Sequence, residues 1–342
     1  MILGTLPLFQ DTANTDTFSW FANLGMLFMI FSIILQMKGS KHKQDKALGK
    51  YLIKAGIKVI TLELLIIFPL VYFFLEKNIL SALLISLIFT TVNEVMVIPF
   101  LKKFKIINTK LGKSIVGIGI LDNAFEYIVI LIASFSSVGG DANIKTLTIA
   151  AVATIITFIL VRSFSKTKYF EHIVKNLDSN GLFLLSIGAL FLFSGILSLI
   201  GLEFLGAVIA AILIKNIVKE LPKKHNDELN KIINASSEGL FGPIFFLWVG
   251  VTTNLMYIVQ KPGLAIIFVL VGLFAKIIPT VIATAKDMNI HSSIILGIAL
   301  KFGSGIIFIK LLFEKGMITE LTYTLTVAAI LLYRILIPLL LG

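Results

Sequence analysis

The chain has 342 residues, of which 57% are hydrophobic and only 14% charged, with a formal net charge of +11. A soluble domain is nearer about 45–50% apolar and about 25% charged, and this balance excludes a water-soluble enzyme built around one core. There is no cysteine, so disulfides, zinc thiolates and cysteine nucleophiles are excluded as well.

Apolar runs of roughly 20 residues recur along the whole sequence, each long enough to cross a bilayer core of about 30 Å. Inside lipid such runs satisfy their own backbone as helices, and they lack the alternation of barrel strands. In chain order the pattern predicts about eleven transmembrane helices, at 17–37, 51–75, 79–101, 113–138, 145–163, 180–199, 203–218, 236–256, 263–285, 291–313 and 320–341. The connecting segments 38–50, 102–113, 162–180 and 215–231 are basic, whereas 76–78, 137–145, 199–203 and 314–320 are neutral or acidic. The two kinds alternate, as the excess of Lys and Arg in cytoplasmic loops requires. The basic loops are therefore expected in the cytoplasm, with the N-terminus outside and the C-terminus inside a multi-pass protein of the cell membrane. That topology accounts for the basic surplus without a nucleic-acid partner. Within these residues no stretch is polar enough for a separate catalytic domain, so the expectation is a transporter and not an enzyme. His42, His172, His225 and His291 are scattered in or beside polar loops, and neither a metal site nor a cofactor is expected.

Charges inside the apolar runs need a reason, since a central one costs at least about 2.5–3.5 kcal/mol on insertion scales. Lys54, Lys58 and Arg334 lie near helix ends and can reach polar surroundings, as can Lys310 towards the outer surface. Glu63, Asp122, Glu126 and Lys276 cannot, and Glu94 and Lys301 also lie well inside their runs. Asp122 and Lys276 sit at similar depth and are expected to pair. A static bridge between two helices would explain such a pair, but intramembrane ionisable residues more often mark an ion or proton path. Glu126 follows Asp122 by four residues on the same helix face, about 6 Å along the axis, with Asn123 adjacent. Two runs are interrupted. LIFTTVNEVMVIPFL (87–101) carries Thr90, Thr91, Asn93, Glu94 and Pro99, and LKFGSGIIFIK (300–310) carries Lys301, Gly303, Ser304 and Gly305. Polar or glycine-rich breaks in corresponding helices point to a midplane site in inverted-repeat transporters.

These residues resemble the monovalent cation:proton antiporters, in particular the CPA2 type that includes sodium/proton and potassium/proton exchangers. TVNEVMVIPFLKKFKIINTKLGKSIVGIGILDN is similar to that family's first crossover helix, loop and acidic helix. LIGLEFLGAVIAAILI is similar to its Gly-Ala-rich helix, FGPIFFLWVGVTTNL to its Pro-x-Phe-Phe segment, and GIALKFGSGIIFIKLLFEKGMITELTYTLTV to its second crossover helix. The resemblance implies an all-α inverted-repeat antiporter fold with two crossing broken helices, 79–101 and 291–313. It implies a core (about 51–138 and 263–341), a scaffold (about 17–37 and 145–256) and a homodimer. It implies that about two helices of the family's thirteen precede residue 17, MILGTLPLF resembling the tail of one. Asp122 matches the first member of the family's acidic pair, Lys276 its basic partner, and Lys301 the basic residue of the second crossover.

One departure matters. The second acidic position, which binds the ion in the family, is Asn123 here. The expected function is exchange of Na+ or K+ for protons by alternating access. The expected ion- and proton-binding residues are Asp122, Asn123, Glu126, Glu94 and Thr91, with Lys276 and Lys301 compensating charge and Glu63 accessory. The alternatives that Asn123 raises are a transport-inactive relative acting as sensor or scaffold, and an uncoupled ion conductance.

Overall fold

The computed structural model describes residues 16–36, 46–90, 101, 105–107, 109–119, 129, 132–133, 152, 156, 159, 163, 167, 177–199, 201–219, 221, 223–301 and 305–341. In chain order the helices are α1 (Asp16–Gln36), α2 (Lys46–Phe74) and α3 (Ile79–Thr90). After helical residues 110–119 come α4 (Ser179–Ser198), α5 (Glu203–Lys219) and α6 (Lys223–Ser236). A π turn over Ser237–Phe241 joins α6 to α7 (Gly242–Thr252). Then follow α8 (Met256–Gln260), α9 (Pro262–Thr284), α10 (Ile290–Ala299), α11 (Ile306–Glu314) and α12 (Glu320–Leu341). Among the described residues six helical stretches are long and apolar enough to cross a membrane, running Thr17–Leu35, Lys50–Phe74, Ser179–Ser198, His225–Thr252, Pro262–Thr284 and Glu320–Ile337.

The predicted runs 113–138 and 145–163 fall largely outside the described residues. Elsewhere one expected interruption is present and one expected loop is not. The run 291–313 holds two helices, as its polar and glycine residues predict: α10 ends at Ala299 and α11 begins at Ile306. The segment 215–231, expected as a loop, is helical over 215–219, the end of α5, and again from Lys223 through the π turn to Thr252. Its polarity concealed an amphipathic face: Leu229 and Ile233, four residues apart, are 1% and 2% exposed, while the opposite face stays polar.

The chain divides into two compact units, one within Met1–Met37 and Ile130–Thr252, the other within Lys38–Val129 and Thr253–Gly342. In the first, α5 packs on α4 and α1, and α1 also meets α7 and the π turn. Helices in lipid gain nothing from hydrophobic burial against each other, so close approach through small residues decides which faces meet. On α5 a side chain at Gly206 would sit 2.5 Å from Phe193 O and Ser194 Cα, and Ala207, Ala210 and Ala211 are fully buried beside it. On α1, Gly25 lets the π turn approach, since a Cβ there would lie 2.7 Å from Phe241 O. Phe28 stacks on Phe241 at 4.2 Å, and the Ser237 hydroxyl donates to the Ser32 hydroxyl at 3.0 Å.

In the second unit α9 is the hub, touching α2, α10 and α12, while α3 lies against α2 and α11. Gly297 brings α10 onto α9, where a Cβ would sit 2.8 Å from Ile277 Cα. The Tyr333 hydroxyl of α12 donates to Val269 O of α9 at 2.7 Å. At one end, the buried Glu76 in the α2–α3 turn accepts hydrogen bonds from the Thr319 amide (2.6 Å) and hydroxyl (2.8 Å). Ser81 donates to Met317 O at 2.6 Å, so this turn is fastened to the start of α12.

Candidate functional site

Glu63 lies near the middle of the apolar span Lys50–Phe74, about 20 Å by helical rise from one end and about 16 Å from the other. No water reaches such a depth from lipid, so the carboxylate must find its partners in the protein. Two lysines supply them. Lys276, midway along α9, places Nζ 3.0 Å from Glu63 Oε2. Lys301, in the break between α10 and α11, donates to Glu63 Oε1 at 3.0 Å. Glu63 and Lys276 are fully buried and Lys301 is 4% exposed.

Each ammonium also holds a main-chain carbonyl at the end of α3. Lys276 Nζ donates to Thr90 O at 2.7 Å and Lys301 Nζ to Phe89 O at 2.8 Å. Helix carbonyls carry partial negative charge that a cation at that end stabilises. The Lys301 ammonium lies over the rings of Phe89 (4.9 Å) and Tyr333 (5.5 Å), faces that also attract a cation. Four pieces of chain thus converge on one carboxylate: α2, the end of α3, α9 and the α10–α11 break. Thr280, one turn on from Lys276, donates to Lys276 O, and Thr284 reaches Ser293 of α10 at 2.7 Å. The Thr284–Ser293 bond joins α9 to α10.

Of the expected site residues, Glu63, Lys276 and Lys301 are brought together. Thr91, Glu94, Asp122, Asn123 and Glu126 lie outside the described residues, so the expected Asp122–Lys276 pair has only its lysine within them. Sequence reasoning gave Glu63 an accessory place and missed that it joins both lysines. The available signal was its position, a single acid at the centre of an apolar helix. Lys54 and Lys58 are exposed and Arg334 is half-buried. Lys310, expected to reach the outer surface, is instead 3% exposed. Its ammonium lies 5.3 Å and 5.2 Å from the ring centres of Phe313 and Tyr323, and 4.0 Å from Glu314 Oε1.

Acid and base are thus held together inside the helical bundle of a multi-pass membrane protein. The chain belongs to the sodium/hydrogen exchanger transmembrane family, whose model matches residues 1–342. It is 28% identical over 286 residues to a Bacillus subtilis protein named as a Na(+)/H(+) antiporter, YjbQ, covering 76% of this chain and 44% of that one. It is 25% identical over 243 residues to a Methanocaldococcus jannaschii protein named as Na(+)/H(+) antiporter 3, covering 70% of this chain and 55% of that one. The chain thus spans about half the length of these curated relatives. In fold it is similar to the sodium proton antiporter MjNhaP1 from Methanocaldococcus jannaschii. The TM-score is 0.64 at 14% sequence identity, over 96% of this chain and 87% of that one.

Proposed function

We propose that this protein exchanges a monovalent cation, Na+ or K+, for protons across the cell membrane by alternating access, as a homodimer of the CPA2 type. The carrying observation is the buried centre in which Glu63 joins Lys276 and Lys301 while both lysines hold the end of α3. Family membership and relatives named for Na(+)/H(+) antiport support the direction of the reading. In the proposed mechanism Asp122 and a second carboxylate bind either a cation or protons, never both at once, and that competition couples the two fluxes. Glu126 is the first choice for the second carboxylate, with Glu94 next; Asn123 and Thr91 offer uncharged oxygens. Lys276 and Lys301 offset charge when the site is empty, and Glu63 fixes where those ammonium groups stand.

The test is a flux assay in proteoliposomes carrying an internal pH dye and an imposed pH gradient. Adding Na+ or K+ should collapse the gradient with wild-type protein. Glu126→Gln should abolish this while leaving the purified protein folded, because the amide keeps the shape and loses the charge. The second reading, an inactive relative, rests on Asn123 standing where the family carries an aspartate. It wins if wild type moves no Na+, K+ or Li+ and Asn123→Asp creates the exchange.

A further inference from the structure

Lys46, Lys50, Lys54 and Lys58 recur every four residues along α2. Side chains four apart in a helix lie one above the other on the same face. Lys50, Lys54 and Lys58 are all exposed, as are the intervening Ile53 and Ile57. The face is therefore a lysine ladder with apolar rungs between. The alternation of basic loops explains lysines outside the apolar runs. It does not explain Lys54 and Lys58, which stand within the membrane-spanning stretch Lys50–Phe74, about 6 and 12 Å from its start by helical rise.

The neighbouring elements continue the same charge. Lys110 lies over the Tyr51 ring at 5.4 Å and donates to Asp287 O in the α9–α10 turn, and Lys286 stands beside Asp287 on that exposed turn. Lys58 reaches across to donate to Ile282 O at 3.2 Å, near the end of α9. Against these cations Asp287 is the acid on the neighbouring turn, and between residues 46 and 62 α2 has no acid of its own. The next acid on α2, Glu63, points inward and is fully buried.

We propose that this α2 face binds the headgroup of an anionic phospholipid, its phosphodiester held by Lys50 and Lys54 with Lys58 reaching up from below, and its acyl chains lying on Ile53 and Ile57. Charge complementarity selects the occupant. Ammonium groups running from the start of the span at Lys50 to about 12 Å within it at Lys58, with apolar side chains between them, suit a ligand that is anionic at one end and apolar at the other. Basic surfaces between helices near a membrane boundary recognise anionic headgroups in this way. The site concerns binding alone and stands whether or not the protein proves to be an exchanger.

The experiment is native mass spectrometry of the purified protein, taken from nanodiscs of phosphatidylcholine containing phosphatidylglycerol. Wild type should retain phosphatidylglycerol in preference to phosphatidylcholine. Lys54→Gln should weaken retention about fivefold and the triple change Lys50→Gln, Lys54→Gln, Lys58→Gln on the order of a hundredfold. The triple change to Arg keeps the charge and should retain the lipid, which separates loss of binding from loss of fold. A control triple, Lys77→Gln, Lys261→Gln, Lys315→Gln, should bind as wild type does. Glycerol phosphate without acyl chains should not compete at the same concentration; if it does, the site takes a free phosphate and the lipid assignment falls. Equal retention of the two lipids by wild type, or undiminished phosphatidylglycerol on the Gln triple, also overturns the proposal.

Discussion

Glu63 divides one negative charge between two ammonium groups, an oxygen to each. Removing one partner of a buried ion pair typically costs about 3–5 kcal/mol, because the other charge stays buried without its counter-ion. Glu63→Gln should therefore lower the thermal unfolding temperature in detergent well below that of wild type. Combining it with Lys276→Gln should recover part of the loss, since the second change removes a cation whose partner is already gone. Strictly additive losses in this cycle would show that the two residues do not interact in the folded protein. Individual expensive charges were legible from the sequence, since depth in an apolar run is read directly off the chain. Their pairing was not. Lys276 faces both an acid on α2 and the end of α3, and only the packing of α9 on α2 decides that Glu63 is within reach.

Among elements, α5 was legible from composition alone, because its Gly206, Ala207, Ala210 and Ala211 announce a helix meant to approach others closely. Gly206→Leu should force α4 and α5 apart and cost about 1–3 kcal/mol, as overpacking does. Gly188→Leu on α4 provides the contrast. A Cβ at Gly188 meets nothing within 4 Å, so that change should leave the unfolding temperature nearly unmoved. Equal effects at the two sites would contradict the packing of α4 on α5. The break between α10 and α11 was also legible, since Lys301, Gly303, Ser304 and Gly305 interrupt an apolar run. The helical character of α6 was hidden because a mostly polar stretch reads as a loop until its two buried positions, Leu229 and Ile233, find neighbours. The π turn at Ser237–Phe241 left no sequence signal, because it answers to the contact with Gly25 and Phe28 of α1, far away in the chain.

For the whole molecule, the alternation of basic and neutral loops makes orientation testable by labelling, and the absence of cysteine makes the experiment clean. Lys43→Cys, in the basic segment 38–50, should be silent to a membrane-impermeant maleimide added outside intact cells and should react once the membrane is opened. Lys77→Cys, in the short turn between α2 and α3, should react from outside. The structure adds a constraint independent of the charge rule. Glu76 is hydrogen-bonded to the amide and hydroxyl of Thr319, and Ser81 to Met317 O, so the turn at 76–78 and the segment leading into α12 share one end of their unit. Lys315→Cys must then label from the same side as Lys77→Cys, whichever side that is. Labelling of Lys43→Cys from outside would reverse the assigned orientation and leave the helical packing intact. Labelling of Lys77→Cys and Lys315→Cys from opposite sides would break the packing itself, because no single membrane crossing of α2 and α12 can then keep Glu76 on Thr319.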